Sequence, residues 1–392
     1  MSVWFILKSL FFLIYVGFAY VAANAAISHQ KKFYDQIYVE KDGKKVLLHD
    51  IFGPFSRRDK PAVFWKLFLN FLFFGTLKFF VGITCAFICS RILKKKIEGK
   101  NGKFTKEEID EMQKIGSFWL SLVVKICGVD VKTKRLPDEI ILPVYQKYFG
   151  PDYKIDYNAK FSCYISNHTN FFDVICGIAL FGCGFVAKEA VKSVPIFGLI
   201  ASGMDSIFVS RESADSRKKV LENIIDRQTK YYNGENVMPF MIFPEGTTTS
   251  GRDLMPFKKG AFVNLLPLKP IMVHPNIDEF FHNGCGSSNV GMNFIRNLGS
   301  LYSVLEYIDL PVFIANDYLF EHWGSSFGKE RWEIYANVCR EIMCELGKFK
   351  KTELSLRDSY RYEECCDRKI YIDKETYEKE MKEKEKEKVK KE

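Results

Sequence analysis

His168 and Asp173 frame the stretch Asn167-His168-Thr169-Asn170-Phe171-Phe172-Asp173. An imidazole is the side chain whose ordinary pKa suits taking a proton from a hydroxyl near neutrality. A neighbouring carboxylate can hold the ring's orientation and stabilise the imidazolium that forms. The spacing sets a condition, because five positions along a regular helix turn two side chains about 140° apart. The pair meets only if His168 lies in the turn entering a helix and Asp173 in its first turns. Asn167, Thr169 and Asn170 suit such a turn and its cap. Alone, the pattern reads most simply as a capping pair, with Asp173 at the positive end of a helix.

Further along, Phe243-Pro244-Glu245-Gly246-Thr247 reads as a strand that stops in a polar turn. Gly246 lets the backbone come close to a ligand. Thr247 to Thr249 offer hydroxyls and amides, and Lys258 and Lys259 follow at a reach suited to a phosphate.

The elements around these motifs have an α/β pattern from about residue 110 onward. Phe161 to Ser166 reads as a buried strand running into the His168 turn, and the apolar residues beyond it as a helix. Gly184 to Lys188, Ser206 to Val209, Val237 to Phe243 and Ile271 to His274 are further strands. Ala214 to Lys230 and Glu330 to Leu346 carry apolar residues at helical spacing. The expected fold is a mixed central sheet flanked by helices, preceded by N-terminal membrane helices. The expected organisation is an anchor over 1–30, a connecting loop over 31–61, a second membrane-embedded segment over 62–95, a catalytic domain over 110–347 and a charged tail over 348–392. The tail closes on 8 Lys and 7 Glu from Lys374 to Glu392, which predicts solvated helix or disorder.

Composition agrees with that division. Of 392 residues, 47% are hydrophobic and 36 are Phe, with the apolar excess gathered in the first part of the chain. Ser9 to Ile27 would reach about 28 Å as a helix and just cross a bilayer core. A cleaved signal peptide is the rival, since Ala23-Asn24-Ala25 resembles a cleavage site. The poor n-region, with Lys8 its one basic residue, favours an uncleaved anchor. Ala62 to Leu93 would reach about 48 Å, more than a bilayer needs. Two arrangements satisfy it: a spanning helix with snorkelling lysines, or a helix pair within one leaflet. Were both segments to span, residues 28 to 61 would lie on the lumenal side and the catalytic domain in the cytosol.

The formal net charge is +9, and Arg91, Lys94, Lys95, Lys96, Lys100 and Lys103 cluster just after the second apolar segment. A basic cluster there favours the cytosolic side and anionic headgroups. No recognisable nucleic-acid-binding motif accompanies it, so nucleic acid is not an expected partner. The eleven cysteines lack zinc-like spacing and read as reduced, buried thiols; no metal is expected.

The two motifs together resemble the glycerolipid acyltransferase family, whose hallmarks are H-x4-D, a block around an arginine, F-P-E-G-T/S and a proline-containing strand. The second block is similar to Met204 to Arg211 and the fourth to Lys269-Pro270-Ile271-Met272-Val273, while Val186-Ala187-Lys188-Glu189 resembles the family's lysine-bearing strand end. The resemblance covers about residues 110 to 320. It implies that His168 acts as general base on an acceptor hydroxyl, with Asp173 orienting it, and that the alkoxide attacks an acyl-CoA thioester without an acyl-enzyme. Lys188 would steady the oxyanion. Arg211, Glu245, Gly246 and Thr247 would hold the acceptor's glycerol phosphate, with Asn167 and Lys258 also at that substrate. Acyl-CoA is a co-substrate, and no bound cofactor is implied.

Many phosphatidic-acid-forming members carry an arginine directly after the E-G-T/S triplet, where this chain has Thr248. Glu245 to Phe262 looks more like the branch that acylates lysophosphatidylcholine or lysophosphatidylethanolamine. The implied partners are therefore acyl-CoA, a lysophospholipid and a bilayer. The alternatives are an enzyme acylating glycerol 3-phosphate or lysophosphatidic acid, a catalytically silent lipid-binding scaffold, and a thioesterase using the same base with water. Residues 350 to 392 contain no EF-hand loop. Lys388-Val389-Lys390-Lys391-Glu392 fits a retrieval signal of endoplasmic reticulum membrane proteins, which predicts that location with the catalytic domain cytosolic.

Overall fold

The computed structural model describes residues 3–27, 37–41, 44–52, 64–100, 102–209, 214–275, 298–299, 302–368 and 371–389. A seven-stranded sheet organises the chain. In spatial order its strands are β3 (Val129–Lys134), β10 (Ser303–Asp309), β9 (Leu268–Pro275), β4 (Cys163–Ser166), β7 (Phe240–Ile242), β5 (Gly184–Lys188) and β6 (Ile207–Val209). All neighbouring pairs run parallel except β10 with β9. The fold is thus the expected mixed α/β sheet flanked by helices.

The strands carry near-continuous apolar runs because helices cover both faces. Phe240, Met241 and Ile242 of β7 are all buried, as a parallel strand requires. One face packs helices Lys106–Ile126 and Phe172–Phe181 around Met112, Leu120, Ile175 and Phe185. The other packs Asp138–Phe149, Ala214–Asn233 and Arg331–Gly347 around Tyr145, Ile165, Phe240, Phe262 and Tyr335. Local signals set several ends. Thr105 and Glu108 form a reciprocal capping box that starts Lys106–Ile126. Gly182, at φ +56°, ends Phe172–Phe181 in the left-handed conformation.

β4 is the central strand, with β9 on one side and β7 on the other. Each neighbour is reached by a separate connection, so a crevice opens beyond their carboxyl ends. Both motifs found in the sequence leave from there, one from β4 and one from β7. The elements match the sequence reading closely. The exception is Val237 to Phe243, where pairing is confined to Phe240–Ile242 and Phe243 turns out of the sheet.

The apolar N-terminal part forms two packed helical segments. Val3–Ile27 lies against a second segment made of Phe64–Asn70, a π-helical turn Phe71–Gly75, and Thr76–Ile97. Phe18 meets Phe79 at 5.1 Å between ring centroids, and Tyr20 meets Phe64 at 5.5 Å. Among the described residues, two stretches are long and apolar enough to cross a membrane, Leu7–Asn24 and Leu67–Ile97. One side of the second segment buries Cys85, Cys89 and Leu93 against the domain. The other side exposes Trp65, Phe73, Phe74, Leu77 and Phe80.

The connecting stretch packs on the catalytic body. β1 (Tyr38–Lys41) and β2 (Lys44–Leu47) form an antiparallel hairpin followed by the short helix Leu48–Phe52. Ser250 N–H donates to the carbonyl of Ile51 at 2.7 Å, directly beside the Thr247 loop. Arg361 donates to the carbonyl of Tyr38 at 2.9 Å. Residues 37–52 therefore rest on the catalytic body, and so does the chain after Ile97. A segment that crossed a bilayer once between them would separate groups that touch.

The stretch expected as a charged tail is also part of the body. β11 (Lys350–Lys351) pairs with β8 (Asp253–Leu254), and helix Leu356–Arg368 follows. Its Tyr362 and Cys365 join Ile37, Leu48, Phe52 and Met255 in a third, smaller core. Only the final helix, Lys374–Val389, carries the alternating Lys and Glu read as solvated, and Lys390 to Glu392 lie outside the described residues. The ten described cysteines are free, and all but Cys366 are buried.

Candidate active site

His168 leaves the end of β4 in a turn, and helix Phe172–Phe181 begins four residues later. The two side chains meet as the spacing required. Nδ1 of His168 stands 3.0 Å from Oδ2 of Asp173. Asp173 is 1% exposed and also accepts from the amides of Thr169 and Asn170 and from the Thr169 hydroxyl. A carboxylate can only accept, so Nδ1 carries the proton, and in the neutral ring the lone pair is on Nε2. The ring lies flat on Phe243, 3.9 Å between centroids and 11° between planes, and Phe185 stacks behind Phe243 at 5.5 Å. His168 is 18% exposed, enough for Nε2 to meet a small group.

The backbone of His168 is fixed as firmly as its ring. Its amide donates to Oε1 of Glu245 at 3.1 Å, and its carbonyl accepts from the amide of Thr249 at 2.8 Å. The other oxygen of Glu245 accepts from the amide of Met255 at 3.0 Å. Complete burial pushes the Glu245 carboxyl up to about 8, against the pull of those two amides. The F-P-E-G-T loop therefore clamps the H-x4-D turn through one buried carboxyl.

Two residues expected at the acceptor have other work. Asn167 is fully buried, and its side-chain amide bonds the carbonyl of Val273 at 2.9 Å and the N–H of Val273 at 2.7 Å. It continues the β4–β9 ladder past the last strand residue, where a main-chain pair would have stood. Glu245, 0% exposed, spends both oxygens on backbone amides. Both residues shape the crevice from behind instead of lining it.

Gly246, Thr247 and Lys258 do come together. Gly246 has φ +76°, and a methyl there would stand 2.4 Å from Nζ of Lys258. The lysine amide donates to the carbonyl of Pro244 at 2.9 Å, which folds the following loop back over the turn. The Thr247 hydroxyl shares a hydrogen bond of 3.2 Å with the Ser359 hydroxyl of helix Leu356–Arg368. Lys188, at the carboxyl end of β5, is exposed and holds its ammonium 5.6 Å from the centroid of the Tyr360 ring on that helix. Arg211 lies outside the described residues. Earlier in that block, Asp205 adopts φ +50° and pairs with Arg227 at 2.5 Å, a contact that ties the start of β6 to helix Ala214–Asn233.

Sequence reasoning missed the stacking of Phe243 on His168, since the two lie far apart along the chain. The amides of Thr247 to Thr249 were in view, and that of Thr249 bonds the His168 carbonyl. Ser359 and Tyr360 sit in a stretch set aside as tail, and no local signal joins them to the site.

Residues 158–276 match the family described as Acyltransferase. Among characterised relatives, the lysophospholipid acyltransferase LPEAT1 of Arabidopsis thaliana is 29% identical over 200 residues, covering 50% of this chain and 48% of the relative. Lysophosphatidylcholine acyltransferase 1 of Danio rerio is 37% identical over 50% of this chain and 35% of its own. The human protein of the same name is 30% identical over 51% and 34%. The chain thus spans less than half the length of these relatives. The matched residues contain the whole His168–Asp173 turn and the Glu245 clamp, whereas helix Leu356–Arg368 lies beyond them.

Proposed function

We propose that this chain is an acyl-CoA-dependent lysophospholipid O-acyltransferase that works at a membrane surface. One observation carries the reading: a partly exposed histidine whose Nδ1 is held by a buried aspartate, leaving Nε2 as a base, within an acyltransferase domain. Nε2 takes the proton of the acceptor hydroxyl as its oxygen attacks the thioester carbonyl of the donor. The tetrahedral intermediate collapses with loss of the CoA thiolate, which the imidazolium reprotonates. Lys188 lies at the same end of the parallel strands and supplies positive charge to the crevice. Thr247 and Lys258 hold the acceptor phosphate above the Gly246 turn, and Arg211 belongs to the same acceptor site by resemblance.

The relatives named for lysophospholipid and lysophosphatidylcholine acylation support the acceptor class, as does Thr248 in place of an arginine. The exposed aromatic side of the second apolar segment supports membrane attachment. Because residues on both sides of it rest on one body, that segment enters and leaves the same leaflet. The basic cluster from Arg91 to Lys103 then meets anionic headgroups, and the endoplasmic reticulum's cytosolic face is the location that goes with this reading.

The test supplies labelled acyl-CoA with lysophosphatidylcholine, lysophosphatidylethanolamine, lysophosphatidic acid or glycerol 3-phosphate to membranes holding the protein or its His168→Ala variant. Labelled product from a choline or ethanolamine lysolipid, lost in the variant, is the expected result. Product from the phosphomonoesters alone would overturn the acceptor class. Release of CoA without acceptor would make the protein a thioesterase, and no turnover at all would leave a lipid-binding scaffold.

A further inference from the structure

Helix Leu356–Arg368 touches the crevice at two points. Ser359 bonds Thr247, and Tyr360 lies beneath the ammonium of Lys188. Glu363 follows Ser359 by four positions and Tyr360 by three, so the three share a face of the helix. The helix is held rigidly to the body. Buried Arg361 bonds the carbonyls of Ile372 and Tyr38, and Tyr362 packs on Phe52.

We propose that this helix is the headgroup wall of the acceptor site, where Tyr360 and Glu363 receive the ammonium of a zwitterionic lysophospholipid while Lys188 takes its phosphate. The proposal rests on the lysophospholipid reading above and adds what selects the headgroup.

The argument is one of matched charge. The Tyr360 ring already accepts a cation on its face, that of Lys188, at a distance typical of such pairs. Glu363 is half-buried near the same lysine; burial pushes its carboxyl up, and Lys188 draws it part of the way back. A phosphodiester entering between Thr247 and Lys258 attracts Lys188 off the ring. The headgroup ammonium, one short linker away, then takes the vacated face and the Glu363 carboxylate. Every charge ends beside its opposite. A phosphomonoester brings up to two negative charges and no cation, so it leaves Glu363 facing like charge. That bias has the same direction as Thr248, which removes a cation from the phosphate side.

The experiment uses the purified full chain with labelled acyl-CoA and compares kcat and KM for lysophosphatidylcholine and lysophosphatidic acid. Tyr360→Leu and Glu363→Gln should each raise KM for the choline lipid roughly three- to tenfold with kcat little changed, as loss of one cation contact predicts. The kcat/KM ratio should move toward the monoester in both. Tyr360→Phe, which keeps the ring, should keep the wild-type ratio. Variants that lose turnover with both acceptors equally, or that leave the ratio unmoved, overturn the proposal. Calorimetry with glycerophosphocholine and glycerol 3-phosphate reads the same preference without turnover. A choline preference lost in Tyr360→Leu supports the wall even if no acyl transfer is found, in which case only the reaction is wrong. Equal binding of the two compounds overturns the wall whatever the activity.

Discussion

The two halves of the crevice are built in opposite ways. On the base side, Asp173 reaches His168 across five positions, and the amides that hold it come from the two residues after His168. On the acceptor side, Thr247 finds Ser359 at a separation of 112 residues, and Lys188 finds Tyr360 on the same distant helix. Proton transfer fails if two atoms drift by an ångström, so its geometry is kept local and short. Recognition of a headgroup tolerates more and can be assembled from segments that meet only in the finished fold. The base side is thus formed within one turn and clamped by the Glu245 loop, whereas the acceptor side draws on the whole molecule.

The sharpest way to break this contrast is to damage each side and compare what is lost. Asp173→Asn should lower kcat by about 10²–10⁴-fold, because the base loses its orienting partner. Its thermal midpoint should move little beside that loss; a comparable fall in both would mean that Asp173 is mainly structural. Arg361→Ala should do the reverse. Leaving two buried carbonyls and a cavity should cost about 3 kcal/mol in urea unfolding. Protease should then cut first between β11 and residue 377, and a variant as resistant as the parent would show that the helix is not held by this residue.

Gly246→Ala tests the seam between the halves. Its positive φ should cost about 1–2 kcal/mol, and the methyl should push Lys258 aside, raising KM for acceptors more than it lowers kcat. An unchanged KM would remove Lys258 from the acceptor site. The Glu245 clamp gives a pH signature. Its carboxyl is raised to about 8 in the fold, so the folded chain binds an extra proton between the unfolded value and that figure. Stability should therefore be greatest below the unfolded carboxyl pKa and fall as pH rises toward 8, by at most about 1.4 kcal/mol per pH unit. Urea midpoints of the parent and Glu245→Gln from pH 4 to 9 should differ in slope over that window. The smallest effect is expected of Thr247→Val, which loses one exchangeable hydroxyl contact and should cost about 1 kcal/mol in acceptor binding.

The same contrast explains what could be read from the sequence. The strands around β4 are continuous apolar runs ending at turn residues, so their presence and order were legible, with starts two or three residues off. The His168–Asp173 contact was legible too, because five positions on a regular helix cannot meet, and Asn167, Thr169 and Asn170 suit the turn that brings them together. Asn167 and Glu245 were placed at the substrate by the family resemblance alone. Their side chains instead complete backbone hydrogen bonds that only tertiary packing creates. Helix Leu356–Arg368 was hidden for a different reason. Its charges resemble those of the solvated run after it, and its partners lie in the hairpin Tyr38–Leu47 and in the Thr247 loop. No window along the chain contains both sides of those contacts.

The third core joins residues 323 positions apart, as the bond from Arg361 to Tyr38 records. On a ribosome adding about 5–20 residues per second, that separation is on the order of tens of seconds. The H-x4-D turn and its Glu245 clamp can close long before, while the hairpin still waits for its other half. A nascent chain of this protein therefore carries an assembled base beside an unfinished acceptor wall. Synthesis itself delays the moment at which the protein can choose its lipid.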